Sequence, residues 1–236
     1  MTPPVSEEGR NLGLALCVGV PSEIREGDPE YVEYFERQVE AINGVLESFG
    51  LPPHREPFDV EDERTFECDM IGYSGLHYLR RVAAHLALGR ALPPPGDDGA
   101  ASDPVLSDYY RIFDASFARG EAARMPFQHL IVHGDAEGYY LPVEFDDVII
   151  TDASLEIAGG MLGSSHALLR ECRELARALE LPEELSLEDD AVWQAAESQG
   201  EGEAKWEQYG VESYTCLALI NACEASVATG AAVVFA

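Results

Sequence analysis

An α+β fold, one mixed or antiparallel sheet packed with several amphipathic helices, is what this chain of 236 residues predicts. Three observations lead there. Apolar residues recur at spacings of three and four in several separate segments, the pattern of helices that bury one stripe. Short apolar runs bounded by Gly, Pro or acids lie between those segments and read as strands. The two kinds alternate without the regular strand–helix–strand repeat that a doubly wound parallel sheet needs.

The stretch from Leu12 to Val20 reads as a buried strand closed by Pro21. Asp28-Pro29 is a helix start, with an acid as N-cap and proline in the first turn. Tyr31, Phe35, Val39, Ile42, Leu46 and Phe49 then form one stripe, and Gly50 followed by Leu-Pro-Pro ends the helix. Phe66 to Tyr73 is expected as a strand. Ser74 would cap a second helix with Leu76, Leu79, Val82, Ala83 and Leu86 inward and His77 and Arg80 on another face. Three consecutive prolines and Gly-Asp-Asp-Gly make 91–104 a loop, after which Asp103 to Phe117 reads as helix. Phe127 to His133 is expected as a central strand, Tyr139 to Phe145 as another, with Val148 to Thr151 extending it. Gly159, Gly160 and Gly163 lead into a helix from Ser164 or Ser165 to Leu181. A last long helix spans Lys205 to Thr229, closed by Gly230, and Ala231 to Phe235 makes a final strand. These readings give a single domain over 11–236 behind a flexible tail at 1–10, with an acidic insertion at 182–204.

Charge is the most extreme property of the chain. Asp and Glu number 44 against 15 Lys and Arg, a formal net charge of −29. Fourteen acids face four Arg between Glu23 and Glu67, and ten face a single Lys between Glu180 and Glu207. Such a field repels phosphate backbones and anionic lipid, so neither nucleic acid nor a membrane is an expected partner, whereas a basic protein is. The five cysteines are odd in number and lack a CxxC pair, which suits buried thiols in a reducing compartment. With no secretory signal and no apolar run of about 20 residues, the expected location is cytoplasmic.

Chemistry, if any, would sit in the turn 133–144. Against a calcium-loop template, Asp135 and Glu137 take positions three and five, Gly138 position six and Glu144 position twelve, while His133 stands where an Asp belongs. On an extended backbone His129, His133, Asp135 and Glu137 would share a face and offer ligands to a transition metal. No cofactor is otherwise expected. Gly159 to His166 lacks the Lys of a phosphate-binding loop, and no GxSxG elbow is present. Tyr73, His77 and Arg80 form a further polar patch that could take part in an interaction.

Three strings, Gly72-Tyr-Ser-Gly-Leu-His-Tyr-Leu-Arg-Arg81, the Phe127 to Gly138 segment, and Ala222 to Phe235, together resemble an uncharacterised family of short bacterial and phage proteins. Its members carry a YSG-x-x-x-x-R string and a His-Ser-Asp-Cys-Asp-Gly-like turn, from which Gly134, Ala136 and Glu137 depart. The resemblance implies a common cytoplasmic fold and no activity that can be named. Two functions stay open. The leading one is an acidic interaction protein of the immunity or inhibitor type that binds a basic protein partner, and it makes catalysis the less expected role. The alternative is a cation-binding protein or metal-dependent enzyme centred on His133, Asp135, Glu137 and Glu144, taking calcium or a transition metal.

Overall fold

The computed structural model describes residues 14–19, 27–96, 99–121, 125–134, 137–198 and 200–235, with backbone alone for 72–74. The tail expected at 1–10 lies outside these. In chain order the described elements are β1 (Ala15–Val18), α1 (Pro29–Ser48), β2 (Phe66–Asp69), α2 (Gly72–Ala87), α3 (Pro104–Ala118), α4 (Gln128–Ile131), β3 (Tyr139–Leu141), β4 (Ile149–Ile150), β5 (Met161–Ser164), α5 (Ser165–Leu179), α6 (Asp190–Glu197), α7 (Lys205–Gln208), α8 (Gly210–Thr229) and β6 (Val233–Phe235). The strands form one sheet in the order β2-β1-β6-β3-β5-β4. Every pair is antiparallel except β3 with β5, so of the two sheets the sequence allowed, mixed or antiparallel, the mixed one forms.

Strand pleating sends alternate side chains to opposite faces. Leu16, Val18, Tyr140, Val233 and Phe235 pack on one face against α2, α5 and α8. On the other, Tyr139, Leu141, Leu162 and Ala232 meet Phe35, Ile42, Val45 and Leu46 of α1. A third cluster joins Val192, Ala195 and Ala196 of α6 and Trp206 of α7 to Val211, Tyr214 and Leu217 of α8. Helix α8 is therefore enclosed over its first half, Gly210 to Leu219, where even Glu212, Ser213 and Thr215 are buried. Three helix starts are capped by side chains, the first of them as expected. Asp28 accepts from Tyr31 N at 3.0 Å, Asp103 from Val105 N at 2.7 Å, and Ser164 Oγ from Ala167 N at 3.3 Å.

Four expectations are corrected. Phe127 to His133 is not a strand. Phe127 has a left-handed backbone (φ 63°), and Glu171 of α5 accepts from His129 N at 3.1 Å and Leu130 N at 2.8 Å, which winds Gln128–Ile131 into one helical turn. A short apolar run carries no period that separates the two states. The glycine run before α5 ends in an unforeseen strand, β5, where Gly163 sits against Tyr140. Helix α2 begins at Gly72, so Ser74 lies inside it instead of capping it. The last helix is broken at Tyr209, whose backbone (φ −99°, ψ 47°) is not helical, and α8 then starts at Gly210, where a β-carbon would overlap the Ala195 carbonyl of α6.

The histidines of the α4 region are neutral structural groups. His129 Nε2–H donates to the Asp146 carbonyl at 3.0 Å, its Nδ1 accepts from Ser164 N at 3.1 Å, and burial holds its pKa down to about 4. His133 stacks on the Tyr140 ring, centroids 4.0 Å apart, and donates from Nε2 to the Tyr139 carbonyl at 3.2 Å. Burial lowers its pKa to about 3. For Glu171 burial acts the other way and pushes the carboxyl up to about 8, although the two N–H donors oppose it.

These shifts set a pH dependence. Each histidine titrates near ~6.5 when unfolded, so its contribution is full above that pH and is lost on acidification, at about 1.4 kcal/mol per pH unit. Glu171 has the opposite sign, since its folded pKa is raised and stability falls as pH climbs from ~4.5 towards 8. Two histidines outweigh one carboxyl below ~6.5, and Glu171 acts alone above it. Melting temperature should peak near pH ~6.5, and Glu171→Gln should flatten the limb from there to pH 8 while keeping the acid limb. A wild-type melting temperature that climbs steadily to pH 8 contradicts this. Two glycines give a second check. Gly163→Ala drives a methyl into the Tyr140 ring and should cost roughly 1–3 kcal/mol, whereas Gly44→Ala, on an open helix face, should gain about 0.5–1 kcal/mol in the same denaturant titration.

Candidate interaction surface

The acids divide sharply into a few internal groups and a large exterior set. Among the described residues every Asp and Glu is exposed except Asp28, Glu56, Asp103, Glu171, Glu207 and Glu212. Those six have internal partners. Asp28 and Asp103 cap helices, and Glu171 holds α4. Glu56 lies 2.7 Å from His54 Nε2 and accepts from Ala232 N at 3.0 Å. Glu207 accepts from Glu203 N and Ala204 N, and Glu212 faces Arg81 at 3.7 Å.

Cations show the reverse tendency. Arg80 and Arg81, consecutive on α2, are each 1% exposed. Arg80 donates to the carbonyls of Leu130 at 2.7 Å, His133 at 2.6 Å and Gly134 at 3.1 Å. It thereby neutralises the carbonyl end of α4. Arg81 meets Glu212, donates to the Pro94 carbonyl at 3.2 Å, and sits 5.4 Å from the centre of the Tyr78 ring. Two of the chain's fifteen cations are thus withdrawn from the exterior. Exposed pairs such as Arg37 with Glu33, Arg111 with Asp108, Arg119 with Glu121, Arg170 with Glu144 and Arg173 with Glu224 offset only part of the remaining field.

The most regular acidic surface is α1. At 100° per residue, Glu33, Glu36, Glu40 and Glu47 fall within about 60° of helix circumference, opposite buried Phe35, Ile42 and Leu46. Their axial separations are roughly 4.5, 6 and 10.5 Å, along a helix about 30 Å long. The segment that follows α1 adds exposed Asp59, Glu61, Asp62 and Glu63. On the edge strand β2, exposed Glu67 and Asp69 alternate with half-buried Phe66 and Cys68. Cys17 of β1, paired with Glu67, registers their proximity. Burial first, and then the Glu67 and Asp69 charges, push its thiol up to about 12.

The turn read from the sequence as a cation site is organised differently. His133 is buried and engaged as above, Glu137 is exposed, and Glu144 is exposed with Arg170 at 3.0 Å. Asp135 lies outside the described residues. Beside the turn is an open depression of about 400 Å³ lined by Tyr110, Ile131, Val132, His133, Gly134, Glu137 and Gly159. Among the described residues no three His, Cys, Asp or Glu side chains are grouped to hold a metal ion. In the second candidate patch Arg80 is interior and His77 is half-buried, and the Tyr73 side chain lies outside the described residues. The role of Arg80 had no sequence signal, because an arginine at that position suits a surface salt bridge equally well. The α1 stripe could have been found from the spacing of its glutamates.

Among the described residues no helix is long and apolar enough to cross a membrane. The chain matches no curated protein and no solved structure. A protein family described as "Putative DNA-mimic protein" does match, over residues 12–235. With nearly the whole length covered and its carboxylates turned outward, the chain belongs to that DNA-mimic family.

Proposed function

We propose that this protein binds a basic, DNA-contacting protein by presenting carboxylates where that partner meets phosphates, and so occludes its DNA site. The observation that carries the reading is the outward display of nearly all described acids in a chain matched by a DNA-mimic family. B-DNA carries one charge per ~3.4 Å of each strand, a denser row than α1 alone supplies. The exposed acids at 59–63 and on β2 lie next in the chain and add further negative charge. Complementary fields of this kind accelerate encounter and select partners by charge. The mechanism requires no catalytic step: the protein and DNA compete for one cationic surface. An immunity-type inhibitor of a basic toxin is a narrower version of the same interaction.

The test is competition. The immobilised protein should retain from a cell extract proteins that double-stranded DNA displaces, and retention should fall steeply between 50 and 200 mM salt, as it does for phosphate contacts. Replacing Glu33, Glu36, Glu40 and Glu47 together by Gln should weaken a captured partner by about tenfold or more and reduce the salt slope, with little change in melting temperature because exposed pairs contribute about 0–1 kcal/mol. Captured proteins that bind DNA and this chain simultaneously would refute occlusion.

A further inference from the structure

Helix α6 carries an exposed aromatic inside an acidic face. Trp193 is 45% exposed, whereas the only other tryptophan, Trp206, is 8% exposed. Asp189, Asp190 and Glu197, all exposed, fall within about 100° of helix circumference that also contains Trp193. Asp190 is three residues before the indole and Glu197 four after it, so both carboxylates neighbour its ring along the helix. The ring is held in place from below. Trp193 stands 4.7 Å, centroid to centroid, from Tyr214 of the enclosed helix α8. The Tyr214 hydroxyl donates to the Asp69 carbonyl at 2.6 Å, which joins this face to the acidic edge strand β2.

Solubility alone explains the carboxylates but not the tryptophan, since a half-exposed indole costs hydration without adding charge. An indole flanked by carboxylates is chemically complementary to a guanidinium. The planar cation stacks on the ring face and its N–H groups reach the acids on either side. A lysine ammonium is a more strongly hydrated point charge and gains less from the ring. Tryptophan is also a side chain that often dominates binding energy at interfaces.

We infer that the Asp190–Trp193–Glu197 face of α6 is a docking point for an arginine side chain of the partner, and that it gives the protein a preference for arginine-rich over lysine-rich surfaces of equal charge. The inference rests on the proposed capture of a basic protein and adds a chemical specificity to it. It makes α6 an aromatic anchor beside the less selective carboxylate rows of α1 and β2.

Octa-arginine and octa-lysine peptides carrying a fluorescent label are suitable probes, titrated at one ionic strength with label anisotropy reading affinity and tryptophan emission reading contact with Trp193. Octa-arginine should perturb Trp193 emission at saturation and bind about two- to fivefold tighter than octa-lysine, the ratio expected of one exposed cation–π contact. Trp193→Leu should bring that ratio to about one while leaving the lysine affinity within about twofold. Asp190→Asn with Glu197→Gln should weaken both peptides. Emission that stays constant at saturating octa-arginine overturns the inference, and this wild-type measurement stands whether or not Trp193→Leu folds. An unchanged arginine preference in a folded Trp193→Leu protein overturns it as well. If the wild-type protein still retains DNA-displaceable partners in either case, the occlusion reading survives and only the arginine anchor fails. If retention is absent while the peptide preference is present, the anchor stands and occlusion fails.

Discussion

A chain with a net charge of −29 must fold against its own repulsion, and the structure depends on keeping that charge on the outside while the interior is electrically closed. The enclosed helix α8 shows how this is done. Its single buried acid, Glu212, faces Arg81, which also stands by the Tyr78 ring and bonds the Pro94 carbonyl. Neighbouring Arg80 points into a different part of the interior and binds three backbone carbonyls around the turn after α4. Consecutive arginines thus close two separate parts of the core, which α2 can arrange because successive residues on a helix diverge by 100°.

Glu171 and Arg80 act on opposite ends of the same short element. The carboxyl accepts from the His129 and Leu130 N–H groups of α4, and the guanidinium donates to the Leu130 carbonyl and to those of His133 and Gly134 just beyond, so a single helical turn that would not persist alone is fixed at both ends. His129 and His133 are locked around it, each with an N–H committed to a carbonyl. Most of the polar atoms of this neighbourhood bond backbone groups, while His133 Nδ1 is buried without a hydrogen-bond partner among the described residues. The same groups that make the turn look reactive in one dimension make it rigid in three.

The exterior follows from this economy of cations. Arg80 and Arg81 serve the core, most other described arginines are tied to single carboxylates, and the acids of α1, 59–63 and β2 retain an excess of negative charge. Membership of the family described as DNA mimics is what ties that excess to the proposed capture of a phosphate-binding surface. Trp193 adds to a charge array the one feature that charge cannot provide, a flat polarisable face that tells arginine from lysine.

Sequence alone determined the class of fold, the helices α1, α3 and α5, the Asp28 cap of the first, and the acidic character that points to a basic partner. These are local or additive properties: apolar period, cap chemistry and summed charge do not depend on what packs where. Tertiary structure decided that 127–133 winds instead of extending, that β5 exists, that α8 starts at Gly210, and that Arg80 is interior. Each of these turns on a partner distant in the chain, Glu171 for α4, Tyr140 for Gly163, Ala195 for Gly210, and the carbonyls of 130–134 for Arg80. The pairing of Glu171 with α4 and of Arg80 with the carbonyls of 130–134 spans forty or more residues and leaves no periodic trace, while the burial of His133 against Tyr140 depends on the sheet that holds that ring.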